Sequence, residues 1–273
     1  MSKFSCGVTL FNPTLDEIKK VNSYITLFDE VLVYDNSADN SKYLKKINTS
    51  KLHYFYNSNN EGLAKAFNVF LSTSIELKCD ALCVLDQDSV IKNDMIQIIK
   101  NDFDKFVKCE NKFIGILAPK IIYSHKSTES NIKRYEEKRW VITSGSFINL
   151  KLIRDKKILF DEKFFIDRVD RDFCNNIIRN GLHIYVDNKA ILYQQLGELI
   201  NGRSNHTPWR HYQIARSRIY YNNKYFKCVG IVFTILQSVR HICIVLLYEK
   251  NSIDKIRAIL IAFCDAIKGD WKC

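Results

Sequence analysis

Short apolar runs alternate with helical segments through the first 90 residues, and that alternation limits the chain to few architectures. Residues 4–10, 30–34, 52–56 and 81–85 are strand-length runs, short and mainly apolar, as buried strands are. Thr14-Leu-Asp-Glu17, directly after Pro13, is a capping box that opens a helix running to about Phe28. Residues 62–77 carry the next helical period. Strand, helix and strand in this repeating order predict an α/β fold with a mainly parallel sheet between helical layers. With 273 residues, 47% of them hydrophobic and only 3 of them proline, the chain can bury a large core, which excludes disorder and low-complexity linkers.

In such sheets ligands bind beyond the carboxyl ends of the strands. Those ends are polar: Thr9-Leu-Phe-Asn12, Asp35-Asn36-Ser37, Asn57-Ser-Asn-Asn60-Glu-Gly62 and Asp86-Gln87-Asp88-Ser89. Each alone is ordinary turn chemistry, but four on one edge form a polar rim. Asp86 and Asp88 leave a strand one residue apart, where both can reach one divalent cation, and hard oxygen ligands suit Mg²⁺ or Mn²⁺. Mg²⁺ completes its shell with water and phosphates, so the pair points to a nucleoside diphosphate; an Asp-x-Asp also arises at turns without any ligand. Gly62, Ala64 and Ala66 let a helix start approach a ligand or another backbone closely, with Asn68 two turns in. Asp167 and Asp170 are one helical turn apart, beside Arg168 and Arg171; either they face a cleft, with an ionised carboxylate able to accept a proton, or they only cap a helix.

The second half is less regular. Residues 140–150 read as a strand containing Gly145, 169–180 as a helix, and 182–186 with 190–193 as a pair of strands. After Pro208 the pattern is helical over 209–226, 229–248 and 253–268. The middle segment is very apolar but carries Gln237, Ser238, Arg240 and His241 at its centre, so a helix lying on a membrane surface or packed on the sheet domain fits better than a spanning one. Residues 201–273 hold 12 Lys and Arg against 4 Asp and Glu, and so supply most of the net charge of +11. The division predicted is a sheet domain over 1–205 and a basic helical region over 206–273. The 9 cysteines have no metal-binding spacing and several lie among apolar residues, as reduced thiols of the cytosol do. The N-terminus shows no apolar run of signal-peptide length. Nucleic acid is not an expected partner, because the aromatics sit in apolar runs instead of among the basic residues.

Six segments in order, Val-Thr-Leu-Phe-Asn-Pro (8–13), Val-Tyr-Asp-Asn-Ser (33–37), Asn-Glu-Gly-Leu-Ala-Lys-Ala-Phe-Asn (60–68), Leu-Asp-Gln-Asp-Ser (85–89), Thr-Ser-Gly-Ser (143–146) and Phe-Ile-Asp-Arg-Val-Asp-Arg-Asp-Phe-Cys (165–174), resemble the motifs of glycosyltransferase family two. The likeness spans about residues 4–200 and is strongest to the bacterial rhamnosyltransferase branch. It implies a GT-A fold and inverting transfer from a nucleotide-activated sugar, dTDP-rhamnose or a UDP-sugar such as UDP-galactofuranose, to a lipid-linked oligosaccharide. By position, Thr9, Asp35, Asn60, Gly62, Asn68, Asp86 and Gln87 would contact the nucleotide sugar, Asp88 with Asp86 would hold Mg²⁺ or Mn²⁺, and Asp170 would be the general base. Gly145 and Asp167 would border the acceptor, as would loops at 123–139 and 197–208. Gln194 stands where relatives often place a metal-binding His, which leaves the third ligand open, with His206 a candidate substitute and a metal-independent or weakly metal-dependent enzyme the alternative. In a segment similar to the family's aromatic and basic stretch, one of Arg210 and Arg216 would meet the donor diphosphate or a lipid pyrophosphate, unless both only form salt bridges on a surface helix. The implied location is the cytoplasmic face of a bacterial membrane, held peripherally by anionic lipid, and a homodimer is compatible with the sequence.

Overall fold

The computed structural model describes residues 2–39, 49–89, 91–108, 113–123, 133–194, 199–200, 203–204 and 206–268. The chain divides into two compact units, one of residues 1–160 with 170–195 and one of residues 161–169 with 196–273.

The first unit is built on an eight-stranded sheet. Its elements are β1 (Phe4–Leu10), α1 (Leu15–Leu27), β2 (Glu30–Asp35), β3 (Leu52–Tyr56), α2 (Gly62–Glu76), β4 (Ala81–Asp86), α3 (Asn93–Lys108), β5 (Ile114–Tyr123), β6 (Tyr135–Glu137), β7 (Phe147–Asn149), α4 (Leu150–Lys156), α5 (Val169–Arg179) and β8 (His183–Gln194). The strand order is β3-β2-β1-β4-β7-β5-β8-β6, with β1 to β4 mutually parallel and β7 and β6 antiparallel to their neighbours. This is the mainly parallel α/β sheet expected. The capping box forms as read: Glu17 N donates to Thr14 Oγ1 at 3.3 Å and Thr14 N to Glu17 Oε2 at 2.7 Å.

The two-residue period of β1 assigns its faces. Cys6, Val8 and Leu10 join Ile18, Val21 and Tyr24 of α1 and Met95, Ile96 and Ile99 of α3 in one buried cluster. Ser5 turns the other way, to Ser74 of α2 at 2.7 Å, and Gly7 makes room for the Phe70 ring of the same helix. Thr9 therefore lies on the α2 face, as does Asp86, its cross-strand partner.

Three local readings are corrected. Residues 140–150 do not form one strand: only Phe147–Asn149 does, because Gly145 takes the left-handed φ of +76° and Asn149 caps α4, its side chain accepting from Leu152 N. The segments 182–186 and 190–193 are not a pair but one strand, β8, which runs parallel to β5 with extra residues bulging after Asp187. Finally, α3 and β5 occupy a stretch for which the sequence pattern assigned no element. Pro119 inside β5 argues against a strand, and it is accommodated where the β5–β8 register shifts.

The second unit holds β9 (Leu199–Ile200) with β10 (Arg203–Ser204), α6 (Pro208–Tyr248) and α7 (Ser252–Lys268). Lys227 leaves helical geometry (φ 47°, ψ −127°), so α6 breaks into the two segments that the sequence separates at the same place. Its halves fold back on each other: Asn222 Nδ2 donates to Thr234 Oγ1 at 2.9 Å and an Arg218 guanidinium nitrogen to the Gln237 carbonyl at 3.0 Å. Ala215, Val245, Ile259 and Ala262 form the small core that α6 shares with α7. Beside it, His211 bridges His241 at 2.9 Å and Glu249 at 3.0 Å, and Lys255 closes on Glu249 at 2.8 Å.

Candidate active site

The register of the parallel strands assembles the polar rim. Leu10 lies beside Asp35, and Thr9 lies between Tyr34 and Asp86. Asp35 is wholly buried: its oxygens accept from Ser37 N at 3.0 Å and from the Tyr54 hydroxyl at 2.8 Å. Asn36 ties the end of β2 to the start of α2, accepting from Glu61 N at 3.0 Å and donating to the Gly62 carbonyl at 3.3 Å. Asn60 Oδ1 accepts from Gly62 N at 3.0 Å, and Gly62 takes a φ of +84°, a turn that favours glycine. The Thr9 hydroxyl is buried without a hydrogen-bond partner among the described residues. In a buried polar group this is costly unless a ligand supplies the missing partner.

Asp86 feels the charges of two other carboxylates, Asp170 and Asp88. Burial above all, then the charges of Asp170 and Asp88, push its pKa up to about 6. Ser144 reaches the Asp86 backbone N–H at 3.4 Å and the Ser89 hydroxyl at 3.0 Å, and Gly145 N donates to the Val84 carbonyl at 2.7 Å. Thr143, next in this segment, donates its hydroxyl to Asp170 Oδ1 in the first turn of α5. The Thr143–Ser146 segment thus positions Asp170 against the end of β4. Gln87 accepts from Phe11 N at 2.8 Å, and Lys20 donates to the Asp88 carbonyl at 3.1 Å, fixing the loop that carries the carboxylate pair.

Gly145 is needed for this arrangement. A Cβ there would approach Leu192 Cδ2 to 2.7 Å and Pro119 Cγ to 3.1 Å, on a backbone that side chains rarely adopt. Gly145→Ala is expected to destabilise the protein by about 2–4 kcal/mol, read by chemical denaturation.

The donor set fits a divalent cation. Asp86 and Asp88 offer hard oxygens at a strand end; burial raises the Asp86 pKa first, and the charges of Asp170 and Asp88, which a cation would offset, raise it further. Among the described residues no group of three His, Cys, Asp or Glu comes together as a metal site; a cation held by two carboxylates commonly completes its shell with phosphate oxygens and water. The side chain of Gln194 lies outside the described residues, as do much of the 123–139 and 197–208 loops.

Other predicted residues have firm structural partners. Asn68 accepts from Phe160 N at 2.9 Å and donates to the Phe160 carbonyl at 3.0 Å, which pins the end of the segment after α4 to α2. In the second unit Arg210 pairs with Asp167 at 3.2 Å, and Asp167 Oδ2 is buried without a hydrogen-bond partner among the described residues. Burial raises the Asp167 pKa against the pull of Arg210, and burial with Arg210 lowers that of His206. Arg216 is fully buried and donates to the Lys163 carbonyl at 3.2 Å. The sequence motifs did not reveal Tyr54, which holds Asp35, or which carboxylates Thr143 and Ser144 serve. The period of two along β2 and β3 is the one local signal for Tyr54, since Val33 pairs with it and Asp35 lies two residues on.

No protein-family model matches the chain. A curated relative, dTDP-rhamnosyl transferase RfbF of Shigella flexneri, is 25% identical over 291 aligned positions that cover 96% of this chain and 94% of its own. Among solved structures, residues 1–349 of S. aureus TarS superpose with a TM-score of 0.53 at 18% identity, over 98% of this chain and 82% of that one. A longer TarS chain matches with the same TM-score at 20% identity, and this chain spans only 40% of it while 81% of this chain is covered. GalNAc-T7, crystallised with UDP, GalNAc and Mn²⁺, gives 0.56 at 12% identity over 84% of this chain and 51% of its own. These structural likenesses concern the fold.

Proposed function

We propose that this chain, a glycosyltransferase of the GT-A fold, moves L-rhamnose from dTDP-rhamnose, with inversion, onto a lipid-linked oligosaccharide of a bacterial surface polysaccharide. The observation that carries the reading is the carboxylate set of Asp86, Asp88 and Asp170 at the end of β4. Support for the donor comes from the relative named for it, which aligns over nearly the whole of both chains. Thr9, Asp35 and the Gly62 turn form the nucleotide side of the site. Asp86 and Asp88 would hold Mg²⁺ or Mn²⁺, which when bound neutralises the leaving diphosphate. Asp170, oriented by Thr143, takes the proton of the acceptor hydroxyl as its oxygen bonds to the anomeric carbon. The bond from that carbon to the diphosphate oxygen breaks in the same displacement, and dTDP leaves.

A thermal-shift panel tests this reading: dTDP-rhamnose, UDP-galactose, UDP-galactofuranose, UDP-N-acetylglucosamine and GDP-mannose, each with and without Mn²⁺. A ligand that binds only the folded state raises the melting temperature. The expected result is a rise with dTDP-rhamnose that grows with Mn²⁺. A rise with UDP-sugars alone would replace rhamnose by a hexose or galactofuranose, and no rise with any donor would overturn the reading.

The second unit supports a peripheral site on the membrane. An 18-residue stretch of α6 has a mean hydropathy of 1.9, long and apolar enough to cross a bilayer by length and composition. Its polar residues Thr234 and Ser238 are buried, however, while Ile231, Val232, Ile235, Leu236 and Val239 are exposed. One apolar face with basic residues on the same unit suits a helix lying in the interface of an anionic leaflet. The protein is expected to float with phosphatidylglycerol vesicles and to be released from them by a high-salt wash. Retention through salt and alkaline extraction would mean a spanning helix, and no flotation would remove the membrane from the account.

A further inference from the structure

Beyond the carboxylates, the first unit has a second concave feature. A cavity of about 320 Å³ opens between β5, β6 and β8, with Pro119, Ile121, Trp140 and Ile142 among its apolar walls and Lys120 and Asn188 among its polar groups. Its size falls at the lower end of small-molecule sites, and apolar walls with a few placed polar groups are their usual chemistry. From this cavity we infer a subsite for a saccharide unit of the acceptor, a deepening that rests on the transferase reading.

Three observations converge. The first is place: Ile142 of the cavity wall is followed directly by Thr143, whose hydroxyl binds Asp170. Trp140 is three residues from Thr143, at most about 11 Å along an extended chain. Cys174 of α5 also reaches the Val141 carbonyl, so the helix carrying Asp170 is tied to the cavity wall. The cavity wall is thereby joined, through Thr143 and α5, to the carboxylate that would take the acceptor's proton.

The second is a fixed aromatic. Trp140 is 47% exposed, yet it is held by the Arg171 guanidinium 4.5 Å from its ring centre. Arg171 follows Asp170 in the chain, so the indole and the base are positioned by one helix turn. A large apolar surface held rigid at a cavity loses little freedom when a ligand covers it. The third is polarity. Lys138 pairs with Glu136 on the rim, and Lys120 and Asn188 add hydrogen-bond donors among apolar walls, which suits a sugar with an apolar ring face and a polar hydroxyl edge.

The test uses the full chain with labelled dTDP-rhamnose, and membranes from cells deleted for this protein as the acceptor. Hydrolysis of the donor by water is measured in parallel. Trp140→Ala is expected to raise the acceptor KM at least tenfold, to change kcat less than threefold, and to leave donor hydrolysis and its KM unaltered. Trp140→Phe should recover most of the acceptor KM. Lys120→Ala, which leaves the Arg171 contact intact, should raise the acceptor KM without changing the melting temperature. An unchanged acceptor KM in Trp140→Ala, or an equal loss of donor hydrolysis, would overturn the subsite while the transferase reading stands. A wild-type protein that neither transfers nor hydrolyses any nucleotide sugar would instead remove that reading, and the subsite with it.

Discussion

Asp170→Asn is expected to slow sugar transfer ~10³-fold while changing donor affinity less than twofold. The amide is nearly the same shape as the carboxylate and its oxygen can still accept from the Thr143 hydroxyl, so the position of the side chain is kept. What the variant loses is the ability to take a proton. A positioned general base contributes about 10²–10⁴ in rate, or roughly 3–5 kcal/mol of the barrier. Single-turnover transfer from dTDP-rhamnose, with calorimetric titration of the same donor, separates the two quantities. Unchanged turnover would assign the base elsewhere, and lost donor binding would mean that Asp170 holds the nucleotide side of the site.

Asp86 has the next largest expected effects, and they run in opposite directions for stability and binding. Its pKa in the folded chain is about 6, against an ordinary value of 3.8, so folding favours its protonated form. A raised carboxylate stabilises the fold below pH 4 and loses that contribution as pH rises through 6. At pH 7.5 the ionised group therefore costs at most about 3 kcal/mol. Asp86→Asn should raise the melting temperature at pH 7.5 by roughly 5–10 °C, and the gain should vanish near pH 4. Binding behaves the other way, because only the ionised carboxylate serves a cation. Affinity for dTDP-rhamnose with Mn²⁺ should fall about tenfold for each pH unit below 6, and in Asp86→Asn both the affinity and its pH dependence should be lost. A variant no more stable than its parent at pH 7.5, or binding that is flat from pH 5 to 7.5, would contradict this account. Stability and binding conflict here because burial, and after it the charges of Asp170 and Asp88, disfavour the ionised carboxylate that a cation would use.

Much of this was legible from local pattern. The first four strands stand out as largely apolar runs, of which β1, β2 and β4 are covered on both faces, and the capping box at Thr14 needs only neighbours in sequence. The break in α6 at Lys227 follows from the apolar pattern restarting after it. What local pattern could not carry was pairing over long separations. The three-residue β7 is held as a strand by β4 and β5 on either side, not by its own length. The bulge in β8 is visible only against the register of β5, where it also excuses Pro119.

The site divides along the same line. Asp86, Asp88 and Asp170 stand in motifs that can be read residue by residue. Their meeting depends on Thr143 and Ser144, which lie 27 and 58 residues from the groups they bind. Sheet topology alone sets those distances. Trp140 reads as one more apolar residue in a strand until the chain is seen to turn there and leave the indole beside a cavity.

The central claim is a single displacement with Asp170 as base, and the configuration of the product tests it most directly. The protein would be given ¹³C-labelled dTDP-rhamnose and membranes from cells that lack it, and the new glycosidic linkage would be read by its one-bond C–H coupling. The account predicts an anomeric configuration opposite to that of the donor. A product with the donor's own configuration would require a different mechanism and would contradict the role assigned to Asp170.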